Sequence, residues 1–225
     1  MSISAPGLSN DDCQDSKLSH FEGESLNLFS DGDATLVVSN ALDNPKRRFL
    51  VSTVVLSLAS RYFDRLFNGH MAEARKLSSG GPVSVDLDED DPRAVELILR
   101  VLHHQAPDLS VHLDLNLIAS IALHADKYDT CTVLEPWVTH WLDALQPTGK
   151  SAVDIGLLLL ATHMVHAQSR FTLASTVAAR DLAKGFERSW STHELLQHIP
   201  DATIGKRASC DAMTDGVTDP NRPNL

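Results

Sequence analysis

Apolar and polar positions change rhythm along this chain. Residues 1–25 are rich in Ser, Asp, Gly and Asn and carry no apolar period, so they are expected to be a disordered leader. Leu26, Leu28 and Phe29 at its end are the exceptions and are expected to pack. "ATLVVS" at Ala34–Ser39 is a strand-forming run, followed by the turn-like "NALDNPK" and a second short strand over 48–51, which reads as a hairpin with a long loop. "STVVLSLASRYFDRLF" reads as helix: Ser52 or Thr53 caps its start, Ser60 divides it, and Asn68-Gly69 ends it. A third strand over 83–87 follows a Gly-Gly-Pro breaker. Asp91 then serves as an N-cap and Pro92 as the first helical residue, where its missing N–H costs nothing. Val95, Ile98, Leu99 and Leu102 repeat at the spacing of one buried helical stripe.

From there the period stays helical. Leu115, Ile118, Ile121, Ala122, Ala125 and Tyr128 share one face; Leu134, Trp137, Val138, Trp141, Leu142 and Leu145 share the next. Further helices are expected over 153–164 and 171–186, and a short one over 193–199 that stops at Pro200. The last residues, 205–225, lack an apolar face and are expected to be disordered. Strands gathered early and helices after them predict an α+β domain over 26–145, a small mixed sheet of about three strands covered by helices. A helical extension over 146–204 follows.

Composition narrows the class. A length of 225 residues suits one domain, or one with a smaller attachment, and 43% hydrophobic content leaves room for unstructured ends. No apolar run approaches the ~18 residues that a membrane span needs; the longest, "IGLLLLA", is far shorter. The polar, acidic start does not read as a signal peptide or presequence, so a cytoplasmic or nuclear protein is expected. A formal charge of -11 disfavours nucleic acid as a partner, because phosphate binding works through Lys and Arg. The short basic run Lys46-Arg47-Arg48 reads as a solvated hairpin turn. Cys13, Cys131 and Cys210 are too few and too scattered for a disulfide framework or zinc finger.

The candidate chemistry does not survive inspection. "GKS" at 149–151 lacks the earlier glycine of a phosphate loop, where Ala144 stands, and follows a helix rather than a strand. "DLDEDD" at 86–91 has Asp91 and Leu97 where a calcium loop needs glycine and a bidentate acid. Its acids are expected to face solvent and favour the next helix through its dipole. His163 and His166 are three apart, without the further ligands of a zinc site. His103-His104 at a helix end would gain from the dipole once protonated. Cys131 reads as a small buried hydrophobe. Neither an enzyme nor a cofactor is expected.

The stretches "DGDATLVVS", "RRFLVSTVVLSLASRYFDRLFNGHMAEARK", "VDLDEDDPRAVELILRVLHHQ" and "LIASIALHADKYDT" resemble, in order and spacing, a BTB/POZ domain of the form common in filamentous fungi, from about residue 30 to 145. The stretch from "WL" to "RDLA" is similar to the helical extension of the fungal members. The resemblance implies a non-enzymatic docking scaffold that pairs with itself and, in many members, adapts substrates to the cullin scaffold of a ubiquitin ligase. It implies a docking set of Leu66, Phe67, Met71, Glu73 and Tyr128, with Met71-Ala72-Glu73 as the hydrophobic-x-Glu turn of the adaptors. Against that, Met71 can fold back on Phe67 and Tyr62 to fill space. Self-association is assigned to Leu26, Leu28 and Phe29, across a two-fold axis or on their own subunit. Asp33 matches a pocket residue of the corepressor-binding members, but its basic partner is replaced here by Ser52-Thr53, which weakens a repressor reading. The alternative is an oligomerising scaffold or transcription co-regulator without ligase contact.

Overall fold

The computed structural model describes residues 25–40, 46–80, 83–105, 113–145 and 151–200. The expectations for the leader before Ser25 and the tail after Pro200 lie outside these residues. Four strands form one mixed sheet: β1 (Ser25–Asn27), β2 (Ala34–Ser39), β3 (Arg47–Val51) and β4 (Val83–Asp88), in the spatial order β1-β3-β2-β4. β2 and β3 make the expected hairpin, antiparallel with Leu36 opposite Phe49. β4 runs parallel to β2, with Leu36 opposite Val85 and Val38 opposite Leu87. A parallel neighbour requires a long crossover. Three helices supply it: α1 (Thr53–Ala59), α2 (Arg61–Asn68) and α3 (Ala72–Ser78).

The strand beyond the three or so expected is β1. Three residues are too few to declare a period, but Ser25–Asn27 lie parallel to Arg48–Leu50 and close that edge. Strand alternation does the rest: Val83, Val85 and Leu87 are buried while Ser84, Asp86 and Asp88 face outward. The inward faces of β2 and β3 meet α4 (Pro92–Leu102), which packs in turn on α5 (Leu115–Lys127).

The helical remainder is α6 (Cys131–Ala144), α7 (Ala152–Met164), α8 (Gln168–Asp181), α9 (Glu187–Ser191) and a 3-10 turn at Leu195–His198. The single helix expected over 171–186 is shorter and starts earlier, and α9 takes up the residues beyond it. α7 packs along α5, so one continuous core runs from Leu28 to Ile199 and the extension shares it. Gly156 makes this docking close: a Cβ there would meet the Trp190 ring and Leu196 Cδ1 at 2.9 Å. Trp190 Nε1 donates to the Ala152 carbonyl at 2.8 Å.

Helix ends explain several residues that looked chemical in the sequence. α4, α5 and α7 each stop with a residue in the left-handed region, His104, Asp129 and His166, at φ 56, 51 and 60. In each case the next N–H reaches five residues back: Gln105 to Arg100, Thr130 to Ala125, Ala167 to Thr162. This is the Schellman stop, usually built on glycine. Asp and His are among the side chains that tolerate the position. His166 is therefore a chain terminator for α7, which accounts for one half of the histidine pair.

Candidate interaction site

Ser60 organises the ground beneath the site. Its backbone is extended, it ends α1 and caps α2. Its Oγ accepts from Phe63 N–H at 3.1 Å and donates to the Tyr128 carbonyl at 2.5 Å. One buried hydroxyl thus divides the helix, as its position in the sequence suggested, and ties the pair to the end of α5. Phe63 stacks on both Tyr128 and Phe67, at 5.3 and 6.1 Å between centroids, and Tyr62 meets Tyr128 edge-on at 5.1 Å.

Exposure divides the expected docking set. Leu66, Phe67 and Tyr128 are buried in the protein's own core, because the apolar face of α2 turns inward to meet α5. Met71 differs: it is 51% exposed. It is the residue before α3, a helix that the sequence reading treated as a loop, and Glu73 lies in the first turn of that helix. A carboxylate there is favoured by the helix dipole. Beside them, α2 and α3 enclose an open hollow of about 440 Å³ lined by Phe67, Asn68, Gly69, Ala74, Arg75 and Leu77.

Asp90 is the residue that sequence reasoning missed. The acids of 86–91 were expected to face solvent; Asp91 does cap α4, accepting from Arg93 N–H at 2.9 Å, but Asp90 is 1% exposed. It accepts from Lys127 Nζ at 2.6 Å and from the Tyr128 hydroxyl, with His124 Nε2 at 3.2 Å. Burial alone would raise its pKa; the interactions with His124, Lys127 and Tyr128 outweigh burial and hold it at about 2. Burial, then the Asp90 charge, pushes the Tyr128 hydroxyl far up. The visible signal was the "DDP" and "DKY" pair, but nothing in the sequence says that they meet.

The self-association and pocket residues divide likewise. Leu26, in β1, lies opposite Phe49 of β3 and Leu28 is buried, while Phe29 stays exposed on the following turn. Asp33, on the same turn, accepts from Thr53 N–H at 2.8 Å and from Thr53 Oγ1 at 2.6 Å. The threonine that replaces the family's basic residue thus makes Asp33 an external cap for α1. Above it, Val54 and Leu58 sit one turn apart on α1 and are 64% and 85% exposed.

Arg47 corrects the solvated-turn reading of the basic run. It begins β3 and bonds Glu96 at 3.1 Å, which also takes Arg100 Nε at 2.8 Å. The Cys131 thiol donates to the Met164 carbonyl at 3.2 Å, and burial pushes its pKa to about 11, far from a nucleophile's range. Among the described residues no helix is long and apolar enough to cross a membrane.

A family model described as BTB/POZ domain matches residues 26–136. No curated protein matches the chain.

Proposed function

From the premise that residues 26–136 are a BTB/POZ domain, a protein-interaction fold, we propose that this protein is a non-enzymatic adaptor that docks on a cullin-type scaffold through Met71 and Glu73 and associates with a second copy of itself. The observation that carries the docking half is the solvent-facing Met71, set beside the hollow between α2 and α3, with a carboxylate two residues on. Met71 fills an apolar notch in the scaffold; Glu73 makes a charge-assisted hydrogen bond at its rim. Leu66, Phe67 and Tyr128 support this surface from beneath.

Co-purification with a cullin tests the docking half. Met71→Asp and Glu73→Lys are expected to reduce recovery at least about tenfold, as the loss of a small hot spot does. Met71 is exposed and Glu73 only half-buried, so folding should be unaffected; unchanged recovery by both variants removes these residues from any account of docking.

One observation favours the reading without ligase contact. Val54 and Leu58 form an apolar step on the outside of α1, beside the turn that carries Phe29. Two copies can cover this step across a two-fold axis. On this reading the chain is an oligomerising scaffold, and light scattering separates the two halves. Val54→Ser with Leu58→Ser should give a monomer while leaving any cullin binding measurable. A dimer that survives both changes refutes the α1 surface.

A further inference from the structure

Two histidines in this fold are built into identical joints. His103 ends α4 and His124 lies in the last turn of α5; both are buried. In each, Nδ1 lies at 2.9 or 2.7 Å from the carbonyl four residues earlier, Leu99 or Ser120. A carbonyl can only accept, so Nδ1 carries the proton and Nε2 is the acceptor. That acceptor takes the N–H of a helix-capping residue on another segment: Ser52 before α1, at 3.1 Å, and Asp91 before α4, at 3.2 Å. Neither joint works with a protonated ring, because Nε2–H would then face an N–H.

The two joints differ in what stands beside them. Asp90 Oδ1 lies 3.2 Å from His124 Nε2, so a proton gained there has an anion to meet. His103 has none within ion-pair distance among the described residues. The charged groups around it are His104 in its own turn, Asp33 across the start of α1, and Glu96, Arg100 and Arg47 farther down α4 and on β3. Asp33 is engaged by Thr53, and Glu96 by its two arginines. We propose that His103 is an acid-operated latch on α1: protonation turns its acceptor nitrogen into a donor, repels the Ser52 N–H and releases the start of that helix.

α1 has only seven residues and depends on outside caps, Asp33 and His103 among them. Burial lowers the His103 pKa below the ordinary 6.5; the Leu99 carbonyl works against this and His104 adds to it. The unfolded or unlatched chain therefore binds the proton first, so latching is complete above about pH 6.5 and weakens as pH falls towards the folded pKa. Adjacent Gln105 Nε2 donates to the Leu28 carbonyl at 2.7 Å, so the end of α4 holds both α1 and the segment after β1. If the α1 step is the self-association surface, as proposed above, assembly is acid-sensitive. The latch itself does not depend on that reading.

Hydrogen exchange of the full chain at about pH 7 and about pH 5, corrected for intrinsic exchange, tests it. Protection of the Ser52 amide is expected to fall by up to about tenfold per pH unit below 6.5, while that of Asp91 changes less. His103→Gln, which can place a non-titrating acceptor towards Ser52, should remove the pH dependence. Equal losses at both joints, or an unchanged Ser52 amide, overturn the proposal. Should the variant not fold, imidazole NMR of the unaltered protein decides: a titration midpoint at or above 6.5, or an Nε2–H tautomer at about pH 7, overturns it equally. Because exchange is read site by site, the latch can fail while Val54→Ser with Leu58→Ser still abolishes the dimer, and the reverse.

Discussion

Replacing Asp90 with Asn keeps the size of the side chain and removes one charge from the joint between the β4–α4 turn and the end of α5. In the folded protein Lys127 and Tyr128 donate to the carboxylate and His124 lies beside it, and its pKa falls from 3.8 to about 2. At about 1.4 kcal/mol per pH unit, that drop corresponds to about 2.5 kcal/mol of stability at neutral pH. Lys127 is 48% exposed and its share is screened by water; the Tyr128 and His124 contacts lie inside, so the figure is an upper value. The folded pKa lies below the unfolded one, so this stability is complete above 3.8 and is lost as pH falls towards about 2. Urea unfolding followed by circular dichroism should show Asp90→Asn about 1.5–2.5 kcal/mol less stable at pH 7, with the deficit shrinking below about pH 4. A deficit under about 0.5 kcal/mol at neutral pH, the level of an ordinary surface change, would refute the account of Asp90 as a net stabilising charge.

Ser60→Ala removes the cap of α2 and the donor to the Tyr128 carbonyl together, and should cost about 1–3 kcal/mol in the same unfolding assay. Gly156→Ala gains up to about 1 kcal/mol of helix propensity but drives a methyl into the Trp190 ring; overpacking of about 1–3 kcal/mol should win. Tryptophan fluorescence and faster proteolysis after α8 would report the displaced α9. Gly at His104, Asp129 or His166 should instead stabilise by up to about 1 kcal/mol each, because the left-handed backbone no longer opposes a Cβ; thermal melts check the direction.

The elements whose periods were long were readable. The α4 stripe of Val95, Ile98, Leu99 and Leu102 is buried as its spacing required, and Asp91-Pro92 starts that helix where cap chemistry put it. Ser60 was placed as a divider for the same local reason. β1, α3 and α9 were missed because three to seven residues give no period to detect; they exist because a neighbour completes them.

Of the site, the chain order carried Met71 and Glu73 and the chemistry of their two side chains. It did not carry which apolar side chains were already buried: Leu66, Phe67 and Tyr128 look equally available in a string of letters, yet all three lie in the core, with Tyr128 stacked on Phe63 and bonded to Asp90. The same holds for the histidines, where His104 and His166 set helix ends locally but His103 and His124 act on residues 51 and 33 positions away. Local sequence fixes backbone preference, because propensity, caps and spacing act within a turn or two. Burial, partner choice and protonation state are decided only when distant segments meet and displace water. That is why the sheet and the helices were legible from the letters, while the buried charge at Asp90 and the exposed step on α1 became visible only in three dimensions.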